Sequence, residues 1–189
     1  MRLTLPPPGV EVILLTLVLG AAVYDVRYRR IPNWLTVAGA LAGMLMNAFI
    51  GRNDIAPGWP GLRFSLLGLA IAFGIYLLLY AVRAMGAGDV KLMAAVGSMV
   101  GWEDWFGIFI LTAIIGGIMA LILVVVRKRV AKTFFNVGYI LSEMKSGRPA
   151  YLGREELDVK SPQALGLPHG AVIAVGTLFF LAVAAHFAG

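Results

Sequence analysis

Cysteine is absent from this sequence of 189 residues, and charged residues are scarce. Without cysteine, the chain has neither disulfides nor CxxC zinc sites, and it lacks a thiol nucleophile. The two histidines, His169 and His186, are too few for a histidine-rich metal site, so we expect no metal and no cofactor. Only 14% of the residues are charged. Since an average soluble domain has about 25% charged residues, this scarcity excludes an ordinary water-facing surface.

Apolar residues are what the sequence has in abundance. They make up 60% of the chain, and the mean hydropathy is +0.86. A soluble fold of this size cannot bury so much apolar surface, and disordered chains are polar and rich in charge. The composition therefore predicts an all-α, polytopic integral membrane protein. We assign the net charge of +6 to loops that face anionic lipid, so the bilayer is an expected partner and nucleic acid is not.

Six apolar segments predict six transmembrane helices in a single domain that covers residues 1–189. A spanning helix needs about 20 mainly apolar residues. The predicted helices lie near 10–24, 34–50, 62–84, 90–100, 105–126 and 168–187. The loop between the last two, 127–167, contains Phe134, Val137, Leu141 and Met144 at helical spacing. This spacing is typical of a short amphipathic helix on the membrane surface.

The basic residues predict the orientation of these helices. They concentrate in the connections after the first, third and fifth helices, and cytoplasmic connections carry an excess of lysine and arginine. Both termini are therefore expected outside, with the three basic connections in the cytoplasm. These connections contain Arg27, Arg29 and Arg30, then Arg83 and Lys91, then eight basic residues of the 127–167 loop.

Ten acidic residues remain to be explained, and two of them are unusual. Asp25 ends the first predicted helix and Asp89 begins the fourth, so both lie at the cytoplasmic boundary. As single residues they are better explained as solvated charges at helix ends, paired with Arg27 or Lys91, and Asp89 can also cap its helix. Together, at one depth, they form a candidate pair, and Gly86 and Gly88 beside Asp89 permit a close approach of the backbone. The other eight acids have ordinary solvent-exposed positions in this topology: Glu11, Asp54, Glu103, Asp104, Glu143, Glu155, Glu156 and Asp158.

Three ordered motifs carry a resemblance to a known family. Residues 24–36, YDVRYRRIPNWLT, resemble the first aspartate motif of type IV prepilin peptidases. Residues 86–93, GAGDVKLM, resemble their second motif, of the GxGD type. Residues 167–177, LPHGAVIAVGT, resemble the Pro-x-Gly start of their last helix. The resemblance extends from about residue 20 to residue 180, which is most of the chain.

The resemblance implies an aspartic endopeptidase that removes the leader peptide from prepilin or pseudopilin precursors. Its active site would face the cytoplasm at the bacterial inner membrane. Asp25 and Asp89 would be the catalytic pair. The residues that would shape the site are Gly86, Gly88, Lys91, Pro168 and Gly170.

The sequence departs from the larger members of this family in two respects. Those members resemble a fusion of this core to an N-terminal region that has paired CxxC motifs and a methyltransferase activity. Because this chain has no cysteine and starts close to its first helix, it resembles the short peptidase-only branch of tight-adherence (Flp-type) pili. N-methyltransferase activity is therefore not expected. In addition, His169 occupies the middle position of the Pro-x-Gly motif, where tyrosine is commoner in the family that this sequence resembles.

The expected chemistry follows from two neighbouring carboxyls. They cannot both ionise cheaply, so they share one proton, and the ionised one activates water. Helix dipoles favour the anion at the helix N-terminus, which is where Asp89 lies, so we expect Asp25 to hold the proton. Two alternatives use the same aspartates. One is a proton- or cation-coupled transporter or channel subunit, and the other is a non-catalytic assembly subunit in which the acids form ion pairs.

Overall fold

A computed structural model describes residues 5–52, 55–128, 130–145 and 167–188 of the protein. The regular structure of these residues is α-helical, apart from one isolated bridge between Arg52 and Ile55. Four of the helices (α1, α3, α4 and α6) are long and apolar enough to cross a membrane. The protein is thus an all-α membrane protein. Its helices are α1 Pro8–Tyr28, α2 Asn33–Phe49, α3 Trp59–Ala81, α4 Ala87–Val126, α5 Val130–Lys145 and α6 His169–Ala188.

The turn between α1 and α2 follows from local sequence. Pro8 begins α1, and its fixed φ suits the first helical position. The helix ends at Arg29, which has left-handed φ and ψ angles of 53° and 31° and donates its N–H to the carbonyl of Asp25. Pro32 then precedes α2. This turn leaves Asp25 in the last turn of α1, close to the start of α2.

Helix α4 shortens the connection predicted between residues 100 and 105 to a break at one residue. The structure has one helix over Ala87–Val126, with a break at Gly101, whose φ is 77° and ψ is 175°. Only glycine adopts this conformation readily. The solvated position predicted for Asp104 is wrong. Its side chain is buried and forms an ion pair with Arg52, which also donates a hydrogen bond of 2.8 Å to the carbonyl of Val100. Arg52 thus pairs both with Asp104 and with the carbonyl of the residue before the break.

The break makes α4 cross the helix bundle twice. From Asp89 to Val100 the helix rises about 16 Å, away from the aspartates. Beyond the break it returns, because Thr112 packs against Gly176 and Gly116 packs against Val172. Val172 lies in the first turns of α6, beside the end of α1 that carries Asp25. The first half of α4 is almost wholly buried and forms the centre of the bundle.

Close helix packing in the centre depends on glycine. An ideal Cβ on Gly97 would lie 2.8 Å from the Cβ of Ala72 and would overlap the carbonyl of Gly68. Helices α3 and α4 therefore cross with their backbones in contact. A Cβ on Gly43 of α2 would lie 2.8 Å from the Cγ of Met99, so α2 approaches the same half of α4.

The 127–167 segment is described in part. Helix α5, Val130–Lys145, coincides with the predicted amphipathic helix. Its position on a membrane surface stays a prediction, since the side chains that carry the apolar spacing, Phe134, Val137, Leu141 and Met144, lie outside what the structure describes. The same holds for the solvent-exposed positions predicted for Asp54, Glu155, Glu156 and Asp158, which lie outside the described residues.

Candidate active site

Asp25 is held by the first turn of α6. It lies in the last turn of α1 and is 9% exposed. Its Oδ2 accepts a hydrogen bond of 2.7 Å from the N–H of Gly170. An ideal Cβ on Gly170 would lie 3.1 Å from both the Cβ and the Oδ2 of Asp25, so any other side chain at this position would crowd the carboxyl. Pro168 shapes the same turn, because its carbonyl accepts the N–H groups of Ala171 and Val172 at 3.1 and 3.3 Å.

Asp89 is held by its own helix start. It lies in the first turn of α4, is also 9% exposed, and accepts a hydrogen bond of 3.1 Å at Oδ2 from the N–H of Gly86. This bond is the carboxylate half of a capping box. Gly88, the residue before Asp89, packs on Ile31. A Cβ added to Gly88 would lie 3.3 Å from the Cβ of Ile31. Both glycines of the second motif thus lie where little space is left.

The structure brings the two aspartates into one site. Their carboxyls interact electrostatically, and Ile31 packs against both Gly88 and Gly170, which joins the three motifs. Both line a cavity of about 990 Å³. The cavity lining consists of Tyr24, Asp25, Tyr28, Arg29, Arg30, Ile31, Pro32, Asn33, Gly86, Ala87, Gly88, Asp89 and Lys91.

Simple solvated charges at helix ends do not describe these two residues. Both are buried, and in the part of the chain that the structure describes neither forms an ion pair. Lys91 instead donates a hydrogen bond of 2.9 Å to the Oδ1 of Asn33 and so joins α4 to the start of α2. Arg27 lies over the ring of Tyr28, with its Cζ 5.6 Å from the centroid.

Two further polar residues interact with the pair. His169, the first residue of α6, interacts electrostatically with Asp25, and its buried Nε2 has no hydrogen-bond partner among the described residues. Tyr76 of α3 interacts in the same way with Asp89. Tyr76 does not stand out in the sequence as a candidate site residue. The one sequence feature that could have indicated Tyr76 is its spacing of four residues from Ala72, which places a hydroxyl group on the buried face of α3.

The geometry defines what the site can do chemically. Each carboxyl uses Oδ2 for a backbone N–H and, among the described residues, has no donor at Oδ1. Two adjacent carboxyls of this kind can share a proton and orient a water molecule between them. The cavity beside them is large enough for a peptide segment, since ligand pockets are typically about 300–1,000 Å³.

Comparison with known proteins shows which family the chain is similar to. The model of the type IV leader peptidase family matches residues 12–121. The chain is 34% identical over 100 residues to a prepilin leader peptidase/N-methyltransferase of Klebsiella pneumoniae, covering 51% of this chain and 44% of that protein. It is 33% identical over 115 residues to the protein of the same name from Pectobacterium carotovorum subsp. carotovorum, covering 58% and 39%.

The matched part spans less than half the length of these relatives. No solved structure matches the chain. The family match nevertheless covers more than half of this chain and includes both aspartate motifs. The chain belongs to the type IV leader peptidase family.

Proposed function

We propose that this protein is an aspartic endopeptidase that removes the leader peptide from type IV prepilin-like precursors. One observation carries the proposal. Two carboxyls from separate helices, Asp25 and Asp89, are buried together, are each fixed by a backbone N–H, and line one cavity. Family membership supplies the substrate class, because the relatives are named as prepilin leader peptidases.

In the proposed mechanism the pair begins with one shared proton and one bound water. The ionised carboxylate takes a proton from the water while the oxygen of that water bonds to the scissile carbonyl carbon. The protonated carboxyl gives its proton to the carbonyl oxygen, which forms a tetrahedral diol. When the C–N bond breaks, a proton passes to the leaving amine and the second product is a carboxylic acid. No group outside the pair and the water is required.

The proton assignment predicted from helix dipoles needs a different basis. Asp89 lies at the N-terminus of α4, as expected, and accepts the N–H of Gly86. Asp25 lies at the C-terminus of α1, but it accepts an N–H from the first turn of α6. Since both carboxyls meet a helix N-terminus, the dipoles alone no longer separate them. The assignment of the proton to Asp25, with Asp89 as the resting base, therefore stays a prediction.

We further propose six membrane spans in one domain, with both termini outside and the site at the cytoplasmic face of the inner membrane. The double passage of α4 supports this count. The end of the bundle that holds the aspartates carries Arg29, Arg30 and Lys91 around the cavity, as expected for a cytoplasmic side. The opposite end contains the Arg52–Asp104 ion pair.

Because the 189 residues contain no cysteine, we propose leader cleavage without N-methyl transfer.

Cleavage of a prepilin segment by the purified protein in detergent or lipid tests this function. Wild-type protein is expected to cut between leader and mature sequence, and Asp25→Asn and Asp89→Asn are each expected to lower kcat by about 1,000-fold or more. Glu103→Gln is the matched control, because Glu103 is an exposed acid on α4. Normal processing by either folded aspartate variant would refute the pair. Proton or cation flux in vesicles, without cleavage, would favour the transporter alternative.

A further inference from the structure

Asn33 and Lys91 form a polar contact on the wall of the cavity that holds the two aspartates. Asn33 is the first residue of α2, and Lys91 follows Asp89 by two residues on α4. The Nζ of Lys91 donates a hydrogen bond of 2.9 Å to the Oδ1 of Asn33, and both residues line the cavity. We call this contact the Asn33–Lys91 bridge. Both residues are exposed, so a peptide that enters the cavity can reach them.

The bridge settles the orientation of the Asn33 amide. A lysine ammonium is only a donor, so the amide atom that it meets must be the oxygen and not the nitrogen. The Nδ2 of Asn33 therefore lies on the side of the amide away from Lys91, and it makes no hydrogen bond to the described residues. Because the ammonium polarises the amide through Oδ1, the two N–H groups on Nδ2 become stronger donors.

The packing of α2 on α4 fixes the position of the bridge. The two helices run in the same direction from the cavity, and further along the Nδ2 of Asn47 donates a hydrogen bond of 3.1 Å to the carbonyl of Ser98. Thr36, which is buried, donates from its Oγ1 to the carbonyl of Asn33 at 3.0 Å. The start of α2 therefore has a defined position relative to Asp89.

A peptide that enters the cavity needs hydrogen-bond donors for its main chain. Each peptide carbonyl that leaves water and finds no donor costs free energy. The aspartate pair serves the scissile carbonyl alone, so the neighbouring carbonyls depend on other groups of the cavity wall. An amide N–H suits them because it is neutral, as they are. The guanidinium groups of Arg29 and Arg30, which also line the cavity, are better suited to carboxylates and phosphates.

We propose that Asn33 binds the main chain of the substrate, with Nδ2 donating a hydrogen bond to a peptide carbonyl next to the scissile bond. Lys91 acts through Asn33 as a positioning residue, because it holds Oδ1 and so directs the nitrogen toward the substrate. The proposal rests on the leader cleavage proposed above. It adds a group that recognises the peptide backbone whatever the side chains of the substrate are.

Asn33→Asp tests the donor, because a carboxylate keeps the acceptor for Lys91 and loses both N–H groups. For cleavage of a prepilin segment, KM is expected to rise about fivefold with little change in kcat, since bound substrate and transition state lose the same contact. Asn136→Asp makes the same change on α5, outside the cavity lining that the structure describes, and is expected to leave KM unchanged. A lower kcat with an unchanged KM in Asn33→Asp would refute the proposal.

Lys91→Met tests the positioning role, because methionine cannot donate to Oδ1. Alone it is expected to raise KM, and when it is added to Asn33→Asp it is expected to raise KM no further, since it acts only through the amide. Multiplied increases in the double variant would show that Lys91 acts independently of Asn33.

Substrates with a single thioamide test the contact from the side of the peptide, because the sulfur accepts hydrogen bonds weakly. The thioamide is placed in turn at each peptide bond that flanks the scissile one. At one position wild-type protein is expected to lose about fivefold in kcat/KM, and Asn33→Asp is expected to lose nothing there. Equal losses in both proteins at every position would overturn the contact.

Binding of the same segments, measured by fluorescence anisotropy, separates this proposal from the proposed function. A protein that binds the segments without cleaving them, and binds them more weakly after Asn33→Asp, would overturn the peptidase function and keep the contact. A protein that cleaves them with the same KM after Asn33→Asp would overturn the contact alone.

Discussion

At the scale of single residues, the site depends on glycines whose missing side chains let carboxyls reach the backbone. Gly170 is the clearest case, because its N–H holds Asp25 and its Cα leaves little space for a methyl group. Little space is left beside Asp89 as well. A Cβ added to Gly86 would lie 3.2 Å from the Oδ2 of Asp89, and a Cβ added to Gly88 would lie 3.3 Å from the Cβ of Ile31. Lys91 has a different role, since it joins two helices by a hydrogen bond to Asn33.

Replacement of Gly170 by alanine is expected to displace Asp25. The added methyl would lie 3.1 Å from Asp25 and from Ile31 Cδ1, so these side chains must shift by a few tenths of an ångström. Since a displacement of about 1 Å in a catalytic group costs roughly 100-fold in rate, we expect kcat for leader cleavage to fall by a smaller factor, roughly several-fold. Gly74→Ala is the control, because a Cβ at Gly74 meets nothing within 4 Å. Equal activity of the two alanine variants would contradict the role given to Gly170.

Local sequence signals predicted the aspartates but not their surroundings. Asp25 and Asp89 stood out because acids are rare in this chain and both fall at helix ends. Two other features depend on residues far apart in sequence. The bond from Gly170 to Asp25 joins positions 145 residues apart, and the placement of Tyr76 depends on how α3 crosses α4. Such contacts leave no pattern within either segment, so they follow only from the packed fold.

At the scale of elements, α4 is the helix on which the site depends. Its first half carries Asp89 through the centre of the bundle, and its second half returns to support α6 and the ring of Tyr76. The sequence indicated a polar loop here, since Glu103 and Asp104 are adjacent acids. The ion pair of Asp104 with Arg52 instead allows the acid to be buried within a helix that is broken at Gly101.

Gly101→Ala is expected to destabilise the protein by about 3 kcal/mol. The φ and ψ of Gly101 are essentially restricted to glycine, which costs a substituted residue about 1–3 kcal/mol. The new methyl would also overlap the ring of Phe64, which adds a packing cost of similar size. Thermal unfolding in detergent measures the effect. Gly117→Ala on the same helix, where a Cβ meets nothing within 4 Å, is expected to keep or raise the Tm. A similar Tm for both variants would show that the break is not required.

At the scale of the whole molecule, the protein is a helix bundle with Asp25 and Asp89 at one end. The proposed topology places that end in the cytoplasm and the Arg52–Asp104 end outside. The natural absence of cysteine makes this directly measurable, because single introduced cysteines are the only thiols in the chain.

Ala56→Cys and Ala84→Cys probe the two ends, since both positions are exposed. In intact spheroplasts a membrane-impermeant maleimide is expected to label Ala56→Cys, and to label Ala84→Cys only after lysis. The reverse pattern would place the aspartates outside and would contradict the proposed orientation. Activity of both variants on a prepilin segment serves as the folding control.

The central claim is that Asp25 and Asp89 act as one catalytic unit. The most direct test is to compare kcat for leader cleavage by Asp25→Asn, Asp89→Asn and the double variant. Residues that act as a unit give strongly non-additive losses. Each single variant is expected to lose about 1,000-fold or more in kcat, and the double variant is expected to be no worse than either. Multiplied losses in the double variant, or a folded single variant that cleaves at the wild-type rate, would contradict it.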